Sequence, residues 1–255
     1  MLKGRVVRIF SLIAFFLLWE VISRLGVVNP LLLPAPSDVV ITIFALLKSG
    51  ELMIHTSASL YRAFLGFLIA AMIAIPHGIL IAWFRFFDDV SSPIIELFRP
   101  IPIAALIPVS ILWFGIGNES KIAIIAFGCY FPILLNTISG VRNVDVTLIK
   151  VARLFNANRR QTLSKIVLPS SLPSIMTGLR ISIAFSLILL VITEMIGANT
   201  GLGFMILDAE FAFRTEKMFA GIFTIGFIGL ILNEITVRIE KRLTRWKREI
   251  TSVSF

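Results

Sequence analysis

VDVTLIKVARLFNANRRQTLSKIVLP, residues Val144–Pro169, is a basic, amphipathic interruption in an otherwise apolar chain. Asp145 is placed to cap a first helix, because a short carboxylate accepts from the free N–H groups of a first helical turn. Val146, Ile149, Ala152 and Phe155 recur at helical spacing on one face, with Lys150 and Arg153 outside that stripe. Asn156-Ala157-Asn158 breaks the helix. Asn158 with Gln161 three residues on reads as a capping box, so a second helix starts there. Leu163, Ile166 and Val167 line its apolar face, and Pro169 is expected to end it, since proline has no N–H for the next bond. Two short capped helices joined by a tight turn are too short to cross a bilayer. They suit a part that docks into a partner, or a basic amphipathic pair lying on anionic lipid.

The rest of the chain is built to hold this stretch at a membrane. Of 255 residues 57% are hydrophobic and 15% charged, and the mean hydropathy is +0.95. A soluble domain carries roughly a quarter charged residues, so an integral membrane protein is expected. The single cysteine, Cys129, sits in an apolar run and reads as a small buried side chain; it allows no disulfide within the chain. His55 and His77 are not spaced as metal ligands. No metal, cofactor or catalytic set is expected, and no Gly-x-x-x-x-Gly-Lys phosphate loop is present. Lys3, Arg5 and Arg8 precede the first apolar run, but Trp19-Glu20 follows it where a cleaved signal would have small residues. That run is expected to stay as a helix.

Working outward, six segments are long and apolar enough to be spans: 9–25, 63–84, 94–114, 122–141, 175–198 and 218–237. Backbone groups in hydrocarbon must bond internally, so these are helices. Pro76-His77-Gly78 in the second, and Pro100, Pro102 and Pro108 in the third, predict kinks, with His77 filling the first as a polar residue. With the N-terminus inside, eighteen Lys and Arg fall in inside segments and six in outside ones. That asymmetry places both termini and Val144–Pro169 in the cytoplasm, and it accounts for the net charge of +9 without nucleic acid. Residues 29–59 lie outside; Pro30, Pro34 and Pro36 make their start extended, and Ser37 or Asp38 is expected to cap a helix through Lys48. Gly201-Leu202-Gly203 predicts a turn followed by a short helix. The C-terminal KRLTRWKR reads as a cytoplasmic anchor with Trp246 at the interface.

Three polar residues inside spans are candidates for a pathway: Glu194, Asn136 and Arg99. A carboxylate at membrane depth is costly and usually faces a polar cavity, although at the outer interface Glu194 equally suits a structural hydrogen bond. Asn136 also suits a bond between helices, and Arg99 an i, i+3 pair with Glu96.

Nearly the whole chain resembles the permease subunit of ATP-driven, binding-protein-dependent importers of the nitrate/sulfonate/taurine branch. The resemblance rests on Leu33-Pro34-Ala35-Pro36-Ser37-Asp38, Ser59 to Phe67, Arg99-Pro100-Ile101-Pro102, and Ile111-Leu112-Trp113-Phe114-Gly115-Ile116-Gly117. Phe131-Pro132-Ile133, Asn136-Thr137, Glu194-Met195 and Gly201-Leu202-Gly203 add to it in order. Val144–Pro169 is similar to the family's Glu-Ala-Ala, three residues, Gly, then Ile-x-Leu-Pro: Ala152, Ile166, Leu168 and Pro169 match, while Lys150, Val151 and Asn156 replace Glu, Ala and Gly. Asn tolerates the left-handed backbone that such a glycine adopts. The resemblance implies an all-α, type I importer fold of six transmembrane helices with cytoplasmic coupling helices between the fourth and fifth. Lys150, Val151, Ala152, Phe155, Asn156, Ile166, Leu168 and Pro169 would then contact a separate cytoplasmic ATP-binding subunit. It also implies an external solute-binding protein, a second permease subunit (a homodimer by default), a lipid environment and a bacterial cytoplasmic membrane. Residues 1–55 form the first helix and external segment, 56–240 the core, and 241–255 a basic tail. A secondary transporter driven by an ion gradient is the alternative; such folds usually carry internal repeats, and none is visible.

Overall fold

The computed structural model describes residues 2–29 and 31–244. Pro30 and the anchor at Trp246, with most of the tail 241–255, lie outside the described residues. The described elements are helical: α1 Leu2–Arg24, α2 Pro36–Lys48, α3 Glu51–Trp83, α4 Arg85–Phe98, α5 Ile107–Phe114, α6 Asn118–Arg142, α7 Val146–Leu154, α8 Arg159–Thr162, α9 Leu168–Gly197, α10 Leu202–Phe211 and α11 Thr215–Leu243.

Among the described residues four helices are long and apolar enough to cross a membrane: α3, α6, the 39-residue run Arg159–Gly197, and α11. The expected third span is corrected. It is not one kinked helix but a broken pair, α4 and Ile103–Phe114, bent by 90° to each other at the expected kink of Pro100 and Pro102. Pro100 and Pro102 cannot donate to the ladder, and Pro102 is extended at φ −62° and ψ 116° ahead of a short 3-10 turn. By contrast α3 runs through Pro76 as one 33-residue helix. The segment expected as a first span forms the 23-residue α1.

The chain folds as two compact units. In Tyr61–Thr193 with Ile228–Phe255, the core is Ala63, Ala70, Ala74 and Ile81 of α3, Ile125, Cys129, Ile133 and Leu134 of α6, and Leu187, Leu189 and Leu190 of α9. Small residues let the backbones approach closely, which is how apolar helices gain packing where lipid offers no hydrophobic contrast. A Cβ on Gly78 would lie 2.8 Å from the Thr137 side chain, and one on Gly178 2.8 Å from that of Asn136. Cys129 is buried as expected, and Ser182 Oγ donates to its carbonyl at 2.9 Å.

In Met1–Leu60 with Glu194–Phe227, Trp19 of α1 stacks on Phe223 of α11 at 5.6 Å. The expected cap of α2 is corrected: Ala35 is the N-cap and Pro36 opens the helix. Glu20 supplies the acceptor instead, taking the Ser37 N–H at 3.0 Å and the Ser37 hydroxyl at 2.7 Å. The short helix expected after Gly201-Leu202-Gly203 is α10, which buries Leu202, Met205, Ile206 and Ala209.

Candidate functional site

The segment opens as its sequence dictates. Asp145 caps α7 by accepting from the Thr147 N–H at 2.7 Å, and that backbone bond holds its carboxyl below the usual carboxylate range. The other end of α7 closes on Asn156, which has φ 52°. The Ala157 N–H reaches back to the Ala152 carbonyl and the Asn156 N–H to the Arg153 carbonyl, both at 3.0 Å. These crossed bonds satisfy the last carbonyls of the helix, so Asn156 does here what a glycine does. The capping box is complete: Asn158 accepts from the Gln161 N–H at 2.8 Å while Gln161 Oε1 accepts from the Asn158 N–H at 2.9 Å.

Pro169 does not end the second helix, contrary to expectation. Leu163–Val167 widens into a π turn in which the Leu168 N–H reaches the Leu163 carbonyl, and the helix continues to Gly197. An extra residue in the turn moves the carbonyl that the proline ring would otherwise meet. The stretch is therefore one free helix, a tight turn, and the root of a long one.

The apolar stripe also divides. Ala152 is 4% exposed, and Ile149 with Leu163 packs on a small core of Val141, Val144 and Val167 that also takes in Ile79 and Trp83. Phe155, expected on the same face, is 83% exposed, and Leu154 is 82% exposed. Val146, Leu148 and Val151 are exposed as well. So Ala152 and Ile149 hold the segment to its own unit, and a second apolar face looks outward. Lys150 and Asn156 are exposed, while Ile166, Leu168 and Pro169 are half-buried at the root of the long helix.

Sequence reasoning missed Leu148, Leu154 and the clamp at Arg159. The Arg159 guanidinium donates to the Trp83 carbonyl at 3.1 Å and lies over the Phe84 ring at 5.1 Å. A cation at the C-terminal end of α3 meets the negative end of its dipole. Arg142 pairs with Asp88 at 2.6 Å. Between α7 and this clamp is a cleft of about 450 Å³ lined by Trp83, Ile149, Arg153, Ala157, Arg159 and Thr162. The signal for the outward face was present: Leu148, Val151 and Phe155 sit at i, i+3 and i+7, alongside the stripe that was read.

Of the three pathway candidates, Glu194 is 0% exposed. Ser59 Oγ donates to its carboxylate at 2.9 Å, and the Gly203 N–H donates to it at 2.9 Å. The Leu202 N–H donates to Ser59 Oγ at 2.8 Å, and the Gly201 N–H to His55 Nδ1 at 3.1 Å. The carboxylate thus sits at the N-terminus of α10, where free N–H groups and the helix dipole favour a negative charge. Gly201 has φ +126°, and a Cβ there would lie 2.3 Å from the Glu194 carboxylate. These are structural hydrogen bonds of the kind that the sequence offered beside a pathway role. Asn136 Nδ2 donates to the Pro132 carbonyl of its own helix at 2.8 Å rather than across helices. Arg99 is exposed at the end of α4, and among the described residues it makes no ion pair with Glu96. Glu194 belongs to one compact unit, and Asn136 and Arg99 belong to the other.

Residues 74–246 match the family described as binding-protein-dependent transport system inner membrane component. The chain belongs to this family. The permease is 39% identical over 90% of its length to the putative aliphatic sulfonates transport permease protein SsuC of Bacillus subtilis (strain 168), covering 83% of that protein. It is 34% identical over 94% of its length to the taurine transport system permease protein TauC of Escherichia coli (strain K12), covering 89% of it. A structure titled inward facing conformations of the MetNI methionine ABC transporter superposes at a TM-score of 0.65 with 20% identity, covering 74% of the permease and 94% of that chain. The fold is that of a type I importer permease, as expected, and the chain is the transmembrane permease subunit of an ATP-driven importer. The gradient-driven alternative finds no support.

Proposed function

We propose that the permease takes its drive from a separate cytoplasmic ATPase that seats the outward face of α7, and that it passes on a small solute delivered by an external binding protein. One observation carries the reading. A helix fixed at both ends by caps, a core and an arginine clamp leaves Leu154 and Phe155 outside its own fold. Large apolar side chains kept exposed on a rigid support are what a protein partner buries. Lys150, Val151 and Asn156 lie on or beside that face, whereas Ala152, Ile166, Leu168 and Pro169 support it from behind.

Two copies of the permease enclose the path, since closed two-fold symmetry is the commonest arrangement. With α1 as a sixth span, 23 residues at about 1.5 Å each give about 34 Å, enough for a bilayer. Both termini and Val144–Pro169 are then on the cytoplasmic side of a bacterial inner membrane, following the Lys and Arg distribution. The solute belongs with those of the relatives: a sulfonate, taurine or a similarly small molecule. Glu194 acts on the path through the turn it holds.

Reconstitution in proteoliposomes tests this. Uptake of a sulfonate such as taurine should require the permease, the co-encoded ATPase, the binding protein and ATP together. Uptake driven by an ion gradient with no ATPase present would reject the reading.

A further inference from the structure

In the unit that contains α6, helices α3, α4 and α6 line an open-sided cavity of about 240 Å³ whose polar lining is three side chains: His77, Ser91 and Tyr130. Ile94, Phe98 and Phe131 are among its apolar walls. His77 Nδ1 is hydrogen-bonded to Tyr130 Oη, and His77 Nε2 to Ser91 Oγ at 3.1 Å. An engineered apolar cavity of about 150 Å³ admits benzene, so this one has room for a body of roughly ten non-hydrogen atoms.

The proton count of the chain Ser91–His77–Tyr130 leaves one donor over, beside the lone pairs that both hydroxyl oxygens keep. Each hydroxyl carries one proton, and neutral imidazole carries one more. Two hydrogen bonds use two of the three. Whichever tautomer His77 adopts, one hydroxyl proton is left over: on Ser91 if the ring donates to Ser91, on Tyr130 if it donates to Tyr130. Neither hydroxyl has a further hydrogen-bond partner among the described residues. An unmatched donor beside apolar walls is costly, and a ligand that brings an acceptor removes the cost.

We propose that this cavity is a binding site for a short amphiphile with an apolar body and an acceptor-only oxygen head, the chemistry of an alkyl sulfonate or carboxylate. The Ser91–His77–Tyr130 chain donates to the head, and Ile94, Phe98 and Phe131 hold the body. The site rests on the permease reading for its place in transport, and it supplies a holding point for solute within the permease itself.

The test is calorimetric titration of the purified permease in lipid nanodiscs with sodium 1-hexanesulfonate and, separately, hexylammonium chloride, which has the same body and a donor-only head. The sulfonate should bind at least tenfold more tightly than the ammonium. Ser91→Ala combined with Tyr130→Phe should remove that preference, and Ile94→Trp, which fills the cavity, should abolish binding of both. Equal affinity for the two heads, no binding of the sulfonate, or unchanged binding in Ile94→Trp would overturn the proposal. So would a co-purified phospholipid that occupies the cavity and resists displacement by the sulfonate. Should the double variant fail to fold, the head-group comparison on the unaltered protein and Ile94→Trp still decide. Association with the ATPase is measured on the same preparation: binding without association rejects the ATPase-docking reading and keeps the site, and association without binding rejects the site alone.

Discussion

Two turns of this molecule solve the same problem and leave different surfaces. At Gly201-Leu202-Gly203, every named backbone N–H finds a side-chain acceptor within the unit, and the carboxylate that organises the turn is sealed from solvent. At Asn156-Ala157-Asn158, the polar groups are satisfied just as fully by the crossed helix-end bonds and the capping box. Yet there Leu154 and Phe155 are left outside. Polar satisfaction alone therefore does not separate a structural turn from a binding one. The exposed Leu154 and Phe155 on a support that is already complete are the ground on which we propose the second as a binding turn.

The comparison breaks most visibly at Ala152. Ala152→Asp places a charge with no partner at a site closed by its own unit, and about 3–5 kcal/mol of stability should be lost. The melting temperature of the purified permease should fall before any partner is added. An Ala152→Asp protein that melts normally but fails to bind ATPase would put Ala152 on the outward face after all.

A somewhat smaller loss is expected in the other turn. Gly201→Ala strains a φ of +126° and drives a methyl into the Glu194 carboxylate, for about 2–4 kcal/mol. Glu194→Gln keeps the shape and exchanges one acceptor oxygen for a donor facing donors, for about 1–3 kcal/mol. Both should lower the melting temperature in that order. If Glu194→Gln leaves stability intact and still stops transport, the carboxylate works on the solute rather than on the turn.

Much of this was legible in the sequence because capping is local. Asp145, Asn158 with Gln161, and the left-handed Asn156 are each decided within a few residues, and each formed as read. Four of the six expected spans were legible because twenty apolar residues have few other options. What was not legible depends on long-range packing. Val146, Leu148, Ile149, Val151, Ala152, Leu154 and Phe155 give α7 two apolar faces. Periodicity cannot say which of the two turns home; that is set by Val141 and Val144 just before α7, Val167 beyond the turn, and Trp83 from α3. Pro169 misled for a related reason: a π turn one step earlier absorbs it, and no residue type announces such a turn. Glu194 was open between a pathway charge and a structural hydrogen bond because its partners, Ser59 and Gly203, come from distant and adjacent sequence at once.

The claim that α7 seats an ATPase is tested most directly by Leu154→Asp combined with Phe155→Asp, read by co-purification with the co-encoded ATPase from membranes. Both side chains are more than four-fifths exposed, at 82% and 83%, so the permease alone should keep its stability to within about 0.5 kcal/mol per substitution. Burying each against a partner contributes about 1.5–3 kcal/mol, so the double variant should bind the ATPase at least about tenfold more weakly and lose ATP-driven uptake. A variant that folds, binds the ATPase at full strength and transports normally would contradict the account and leave α7 as a helix resting on lipid.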